Sequence, residues 1–187
     1  MSSWNAEAAE WYAEKYGEYA TNRLTVALLD LQAHDVVVDV GCGAGPALRA
    51  AASKVTSGRL IGIDPVGRML EIARERAVGH DAEERLEFAK GSAEDIPVDD
   101  DTADWVFAFD SYDHWEDKVV GFEEVKRVLK PTGTLVVVKD GGVPGTKDGF
   151  ASEAEAAGFV VDDARKVDDD EEGVSFLLWL CRQGEKT

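Results

Sequence analysis

Four stretches of the chain are short and almost wholly apolar: Val36–Val40, Leu60–Ile63, Trp105–Phe109 and Leu135–Val138. Continuous apolarity, rather than strict alternation, marks strands covered on both faces, as in a parallel sheet. Helical periodicity fills the intervals. Pro46 suits the first turn of a helix that follows the first strand. Met69, Leu70, Ala73 and Ala77 share one helix face, and Gly79 can end that helix. Leu86–Phe88 reads as a weaker strand. Phe122, Val125 and Leu129 form the stripe of a helix that stops before the surface turn Pro131-Thr132-Gly133. Lys147–Ala157 reads as a helix with Gly158 as terminator, followed by strands at Phe159–Lys166 and Val174–Arg182. The acidic run between those two is too short for a parallel crossover, so the pair is expected to be antiparallel.

The elements predict an α/β fold: a doubly wound, mostly parallel, seven-stranded sheet that ends in one reversed strand. Residues 1–187 form a single domain on this reading, with a helical segment over 1–30 ahead of an α/β core over 31–187. Trp4, Trp11, Tyr12, Tyr16 and Tyr19 crowd that first segment, the last four at helical spacing. Such a stripe either packs as plain core or closes over a site as a lid.

Charge changes the picture more than size does. The net charge is −18, so phosphate backbones are repelled over most of the surface and nucleic acid is not an expected partner. The runs Asp99–Asp101 and Asp168–Glu172 read as solvated loops rather than metal sites. Such acidity fits a salt-rich cytoplasm, where screening weakens self-repulsion. No apolar run reaches the ~20 residues that cross a bilayer, and the first residues show no basic-then-apolar leader. Cys42 and Cys181 are too few and too far apart for a disulfide framework. A cytoplasmic protein is expected; oligomeric state is not readable.

The chemistry gathers after the first strand. Gly41, Gly43 and Gly45 bare the backbone of the turn between Val40 and Pro46. In an open α/β sheet, this is where a ligand meets the carboxyl ends of the strands. The spacing is G-x-G-x-G, which departs from the dinucleotide fingerprint G-x-G-x-x-G. Asp64 ends the second strand, where an acidic side chain can accept both hydroxyls of a ribose. It can also cap the helix that follows.

In these motifs the chain resembles the class I S-adenosylmethionine-dependent methyltransferases, most closely the branch acting on small molecules and quinones. The resemblance rests on Asp39-Val40-Gly41-Cys42-Gly43-Ala44-Gly45, Asp64, and Gly91-Ser92-Ala93-Glu94-Asp95-Ile96-Pro97. It continues through Asp104-Trp105-Val106, His114-Trp115-Glu116-Asp117 and the segment Arg127–Leu135, in order over residues 36 to 140. It implies a Rossmann-like fold, the cofactor S-adenosyl-L-methionine and a small-molecule acceptor. Backbone groups over Gly41, Cys42, Gly43 and Gly45 would hold the methionine portion, with Asp39 towards its ammonium. Asp64 would take the ribose, Pro65 would pack near adenine, and Ser92 and Ala93 would meet the adenine edge. Many relatives have aspartate at Ser92; Glu94 or Asp95 can substitute for it. Asp110 can face the cofactor from the end of the fourth strand, and Tyr16 can reach it from the leading helix.

The methyl group on a sulfonium is already activated, so the protein chiefly aligns a nucleophile behind it. Alignment supplies ~7–11 kcal/mol, against about 10²- to 10⁴-fold from a general base. The acid–base candidates are His114, whose ordinary pKa suits a base, and Asp113. Asp110 and Asp113 can alternatively cap the next helix. No metal is expected. With no long insertion between later strands, specificity falls to the leading helix and the loops Asp110–Asp117 and Asp140–Lys147. Two other readings stay open: a module that binds the cofactor without turnover, and a nicotinamide-dependent oxidoreductase.

Overall fold

The structure, a computed structural model, describes residues 6–140 and 149–184. Seven strands form one sheet: β1 (Val36–Val40), β2 (Arg59–Asp64), β3 (Leu86–Lys90), β4 (Ala103–Phe109), β5 (Leu129–Asp140), β6 (Phe159–Asp169) and β7 (Val174–Gln183). Their spatial order is β3-β2-β1-β4-β5-β7-β6. β1 pairs in parallel with both β2 and β4, and the parallel ladder extends to β3 and β5. β7 runs antiparallel to both of its neighbours. The expected doubly wound sheet with one reversed strand is therefore observed. The chain turns from one half of the sheet to the other between β1 and β4, which opens a crevice beyond their carboxyl ends.

Side chains alternate across the sheet and feed two cores. Val38, Val40, Ile61, Ile63, Val106, Leu135 and Val137 pack on one face beneath α5 (Lys118–Val128) and α6 (Gly149–Ala156). Val37, Leu60, Phe107, Val136 and Val138 pack on the other, beneath α2 (Ala20–Leu28) and α3 (Pro46–Ala51). Burial on both faces explains why these strands read as unbroken apolar runs. A third, small cluster joins Ala9 and Ala13 of α1 (Ala6–Tyr16) to Ala44 of the glycine turn and to Met69 and Ile72 of α4 (Gly67–Ala77). The two leading helices thus differ in role: α2 belongs to a core layer, whereas α1 lies over the glycine turn.

Several local expectations are corrected. α5 ends at Val128, and Leu129 begins β5 instead of completing the helical stripe. Pro131-Thr132-Gly133 sits inside β5, where the pairing with β4 jumps from Ala103–Leu129 to Trp105–Thr134. The proline and glycine are accommodated as a bulge, the place where a strand tolerates them. Asp168 and Asp169 extend β6, leaving a turn of only 170–173, with Gly173 at φ +67°. Tyr19 lies beyond the end of α1 and precedes α2, so the aromatic stripe spans a helix and a corner. Trp4, Lys147 and the loop residues Gly141, Gly142, Pro144 and Gly145 fall outside the described residues.

Candidate active site

The three turn glycines have different physical causes. Gly41 has φ +78°, donates its N–H to Ile63 O at 2.8 Å, and a Cβ there would collide with Ser111 Cβ. Gly45, also left-handed, would press a Cβ against the Phe88 ring. Packing dictates both. Gly43, at φ +51°, faces open space, with nothing within 4 Å of where a Cβ would stand. Of the three, Gly43 is the one that leaves room for a ligand.

Asp39 and Asp64 flank this turn and differ in their partners. Asp64 accepts from Gly43 N at 2.9 Å through one oxygen and from Val66 N at 2.8 Å through the other. Burial raises its pKa and these two N–H groups pull it back. It does not cap α4, whose N-cap is Val66. Asp39 is 2% exposed, and no donor among the described residues reaches its carboxylate. Burial, and next the charge of Asp64, push its pKa up to about 8.

Beyond β4, Asp110 holds φ +53°, an uncommon conformation for a non-glycine residue. Its N–H donates to Val138 O and its Oδ1 accepts from Asp140 N at 2.7 Å, fixing the β4 and β5 ends together. Burial raises its pKa to about 6; the charges of Asp140 and Asp113 also raise it, while the Asp140 N–H and His114 lower it. Ser111 Oγ donates to Val40 O at 2.5 Å and seals the turn from below. Tyr112 is buried among Trp115, Phe122 and Phe150, and its hydroxyl donates to Glu153, which anchors this loop to α6.

α1 closes one side. Burial raises the pKa of the Tyr12 phenol, and the charges of Asp110, Tyr16 and Asp64 raise it further. Tyr16 packs on Tyr12, with ring centroids 4.9 Å apart, and edge-on to Tyr19. Arg49 of α3 donates to Ala44 O at 2.5 Å, to Gly17 O at 3.4 Å and to Glu18; Arg76 of α4 donates to Ala13 O at 2.9 Å. Two arginines therefore fasten the end of α1 to the glycine turn and to α4.

Residues 38–137 match the methyltransferase domain family. The chain belongs to the class I S-adenosylmethionine-dependent methyltransferases. It is 35% identical over 136 residues to the methyltransferase GfsG of Streptomyces halstedii, covering 73% of this chain and 48% of that protein. It is 35% identical over 124 residues to the 27-O-demethylrifamycin SV methyltransferase of Amycolatopsis mediterranei, covering 64% of this chain and 45% of that protein. The chain spans about half the length of these curated relatives. An S-adenosylmethionine-dependent methyltransferase structure from Aquifex aeolicus shares the fold, with TM-score 0.77 and 21% identity over 96% of this chain and all of that one.

Within this methyltransferase domain, Asp39, Gly41, Gly43, Gly45, Asp64 and Asp110 gather at the carboxyl ends of β1, β2 and β4. Cys42 is 4% exposed and its Sγ turns towards Gly62, so only its backbone faces the turn; burial raises its thiol pKa well above the ordinary value. Ser92 and Asp95 exchange backbone hydrogen bonds, and Ser92 Oγ accepts from Glu94 N at 3.3 Å. The Ala93 N–H has no partner among the described residues. Glu94 accepts from Asp117 N at 3.1 Å through one of its oxygens and also interacts with the Ser92 side chain. Pro65 follows Asp64 at the surface of the crevice.

The acid–base candidates are less central. His114 is exposed, and Asp113 is half exposed and paired with Lys139 Nζ at 2.5 Å. Neither Asp110 nor Asp113 caps α5; Asp117 does, accepting from Val119 N and Val120 N. Among the described residues no group of three or more His, Cys, Asp or Glu is placed to hold a metal. No helix among them is long and apolar enough to cross a membrane. Sequence reasoning missed Lys139, and it gave Tyr12, Ser111 and Asp140 only as members of the aromatic stripe and of the two loops, without their contacts. One signal was available: Lys139 is a lone charge closing the apolar run of β5, and it is 7% exposed.

Proposed function

We propose that this chain transfers the methyl group of S-adenosyl-L-methionine to a small-molecule acceptor by in-line displacement. The observation that carries the reading is Asp39, a buried carboxylate without a donor among the described residues, near the open space at Gly43 and the partnered carboxylate of Asp64. A buried, unpartnered carboxylate is costly and is relieved by a cation that donates hydrogen bonds to it. The ammonium of an amino-acid moiety is such a group. Asp64 spends one lone pair of each oxygen on backbone N–H groups and keeps the others for two hydroxyls of a ribose. The Ala93 N–H, without a partner among the described residues, suits an adenine edge together with Ser92, and Pro65 its face; Glu94, which accepts from Asp117 N and interacts with Ser92, holds that loop in place.

The cofactor supplies an activated methyl group, and the chain's task is to orient an acceptor and exclude water. α1, with Tyr12 and Tyr16, covers the crevice as a lid over residues 1–30, and α2 anchors it. Asp110, raised to about 6, is better placed than Asp113 to receive an acceptor proton, with His114 beside it. The likeness to the 27-O-demethylrifamycin SV methyltransferase of Amycolatopsis mediterranei supports an oxygen acceptor. Two free, buried cysteines fit a cytoplasmic setting.

The test is calorimetric titration with S-adenosylhomocysteine, followed by labelled methyl transfer across a panel of hydroxylated small molecules. Binding with acceptor-dependent transfer is expected. Binding with no transfer to any acceptor would favour a module that holds the cofactor without turnover. Absence of binding, with nicotinamide dinucleotides binding instead, would overturn the reading.

A further inference from the structure

The sheet has two unlike edges. β3, at one end, is five residues long, whereas β6, at the other, runs for eleven residues, and none of the described residues pairs with its outer side. A long open edge presents a row of free N–H and C=O groups to another strand. Charges on an edge ordinarily block such pairing, but the order of charges here is specific. Val161-Asp162-Asp163-Ala164-Arg165-Lys166-Val167 carries two acids, a neutral centre and two bases, and Ala164 is also the midpoint of β6. Reversed end for end, the segment is its own electrostatic complement.

We propose that β6 is a self-pairing edge: two copies of the chain join antiparallel about a two-fold axis at Ala164, continuing the sheet across the dimer. In this register Asp163 stands opposite Arg165 of the second copy, and Arg165 opposite the second Asp163. The two share a sheet face, because they pair inward with Leu180 and Leu178. Asp162, exposed at the bulge between Val161 and Asp163, comes beside Lys166 of the second copy. Moving the axis one residue either way sets Asp163 against Asp163 or Arg165 against Arg165, so like charges exclude the neighbouring registers. Within the sheet, Arg165 lies 3.3 Å from Asp163, Lys166 lies 2.6 Å from Asp168 and Arg182 of β7 lies 3.0 Å from Asp162, each pair at least partly solvent-exposed. Such exposed pairs are weak and exchange readily for pairs across the strands. With −18 charges per chain, general repulsion opposes any contact that lacks this local match. A two-fold, self-complementary contact is the commonest way for a chain to close on a second copy.

The experiment is sedimentation equilibrium over a wide concentration series at fixed ionic strength. The wild type is expected to show a reversible monomer–dimer equilibrium. The variants Arg165→Asp/Lys166→Asp and Asp162→Lys/Asp163→Arg should each raise the dimer dissociation constant at least about tenfold. An equimolar mixture of the two variants should regain dimers containing one chain of each. Circular dichroism and thermal melting confirm that both variants are folded. A wild type that stays monomeric at every concentration, a dimer that both variants leave intact, or folded variants that fail to pair in the mixture would overturn the proposal.

Discussion

Two buried acids of one short stretch of chain, Asp35 at the amino end of β1 and Asp39 at its carboxyl end, are treated in opposite ways. At the amino end, Asp35 accepts from Gln32 N at 2.7 Å and Trp105 Nε1 at 2.8 Å, and Asp104 accepts from Val36 N and binds Lys130 through both oxygens. At the carboxyl end, Asp39 is buried without a donor among the described residues. Only three residues of β1, Val36, Val37 and Val38, separate Asp35 from Asp39. A partnered buried acid builds structure, because its donors would be stranded without it. An unpartnered one costs stability, and its retention points to a ligand that completes it. The comparison locates the site more sharply than the glycines do, since two of those are explained by packing alone.

The widest gap between the two ends should appear with Asp39→Asn. S-adenosylhomocysteine affinity is expected to fall about a hundredfold, the cost of breaking a buried ion pair, while the melting temperature at pH 8 holds or rises. Calorimetry and thermal melting check both halves; a variant that binds as tightly as the wild type would remove Asp39 from the site.

The pH dependence follows from the same group. With its pKa at about 8, Asp39 holds a proton at neutral pH in the free protein, and binding an ammonium displaces that proton. Affinity should therefore climb by about tenfold per pH unit from 6 towards 8 and level off above it. The folded-state pKa lies above the unfolded value, so the unliganded chain should lose stability as pH rises through this window. Asp39→Asn should flatten both curves, read by titrations and melts at several pH values.

At the opposite end, Asp35→Ala strands two donors and is expected to cost about 2 kcal/mol of stability in urea unfolding, with cofactor affinity unchanged. The smallest effect separates conformation from access. Gly43 and Gly79 both have positive φ and nothing near a Cβ position. Alanine at either should cost about 1 kcal/mol in unfolding, but only Gly43→Ala should weaken S-adenosylhomocysteine binding. Equal affinities for the two variants would mean that the space at Gly43 is not the ligand's.

Strand and helix order was legible because burial on both faces leaves unbroken apolar runs, and because glycines at 79 and 158 punctuate helices by backbone geometry alone. The sheet's reversed strand followed from a loop too short for a crossover. Boundaries were less legible at Leu129 and Pro131, where pairing with β4 recruited residues that local periodicity assigned to a helix and a turn. In the site, Gly43 and Asp64 were readable from spacing, since one βαβ unit fixes where strand ends meet, and Asp39 from the family resemblance. The contacts of Tyr12, Ser111 and Asp140 were not. Their positions depend on α1 crossing onto α4 and on β5 lying beside β4, contacts between segments far apart in the chain.

The sequence by itself determined the family, the alternation of elements and the acids at the strand ends, because these depend on local pattern and short spacings. The tertiary structure decided which acid is satisfied and which is left open. It also decided that two turn glycines answer to Ser111 and Phe88 rather than to a ligand, and that β6 is a long edge unpaired on its outer side among the described residues. Each of those depends on which neighbours long-range packing brings within a few ångströms, and no local pattern carries that information.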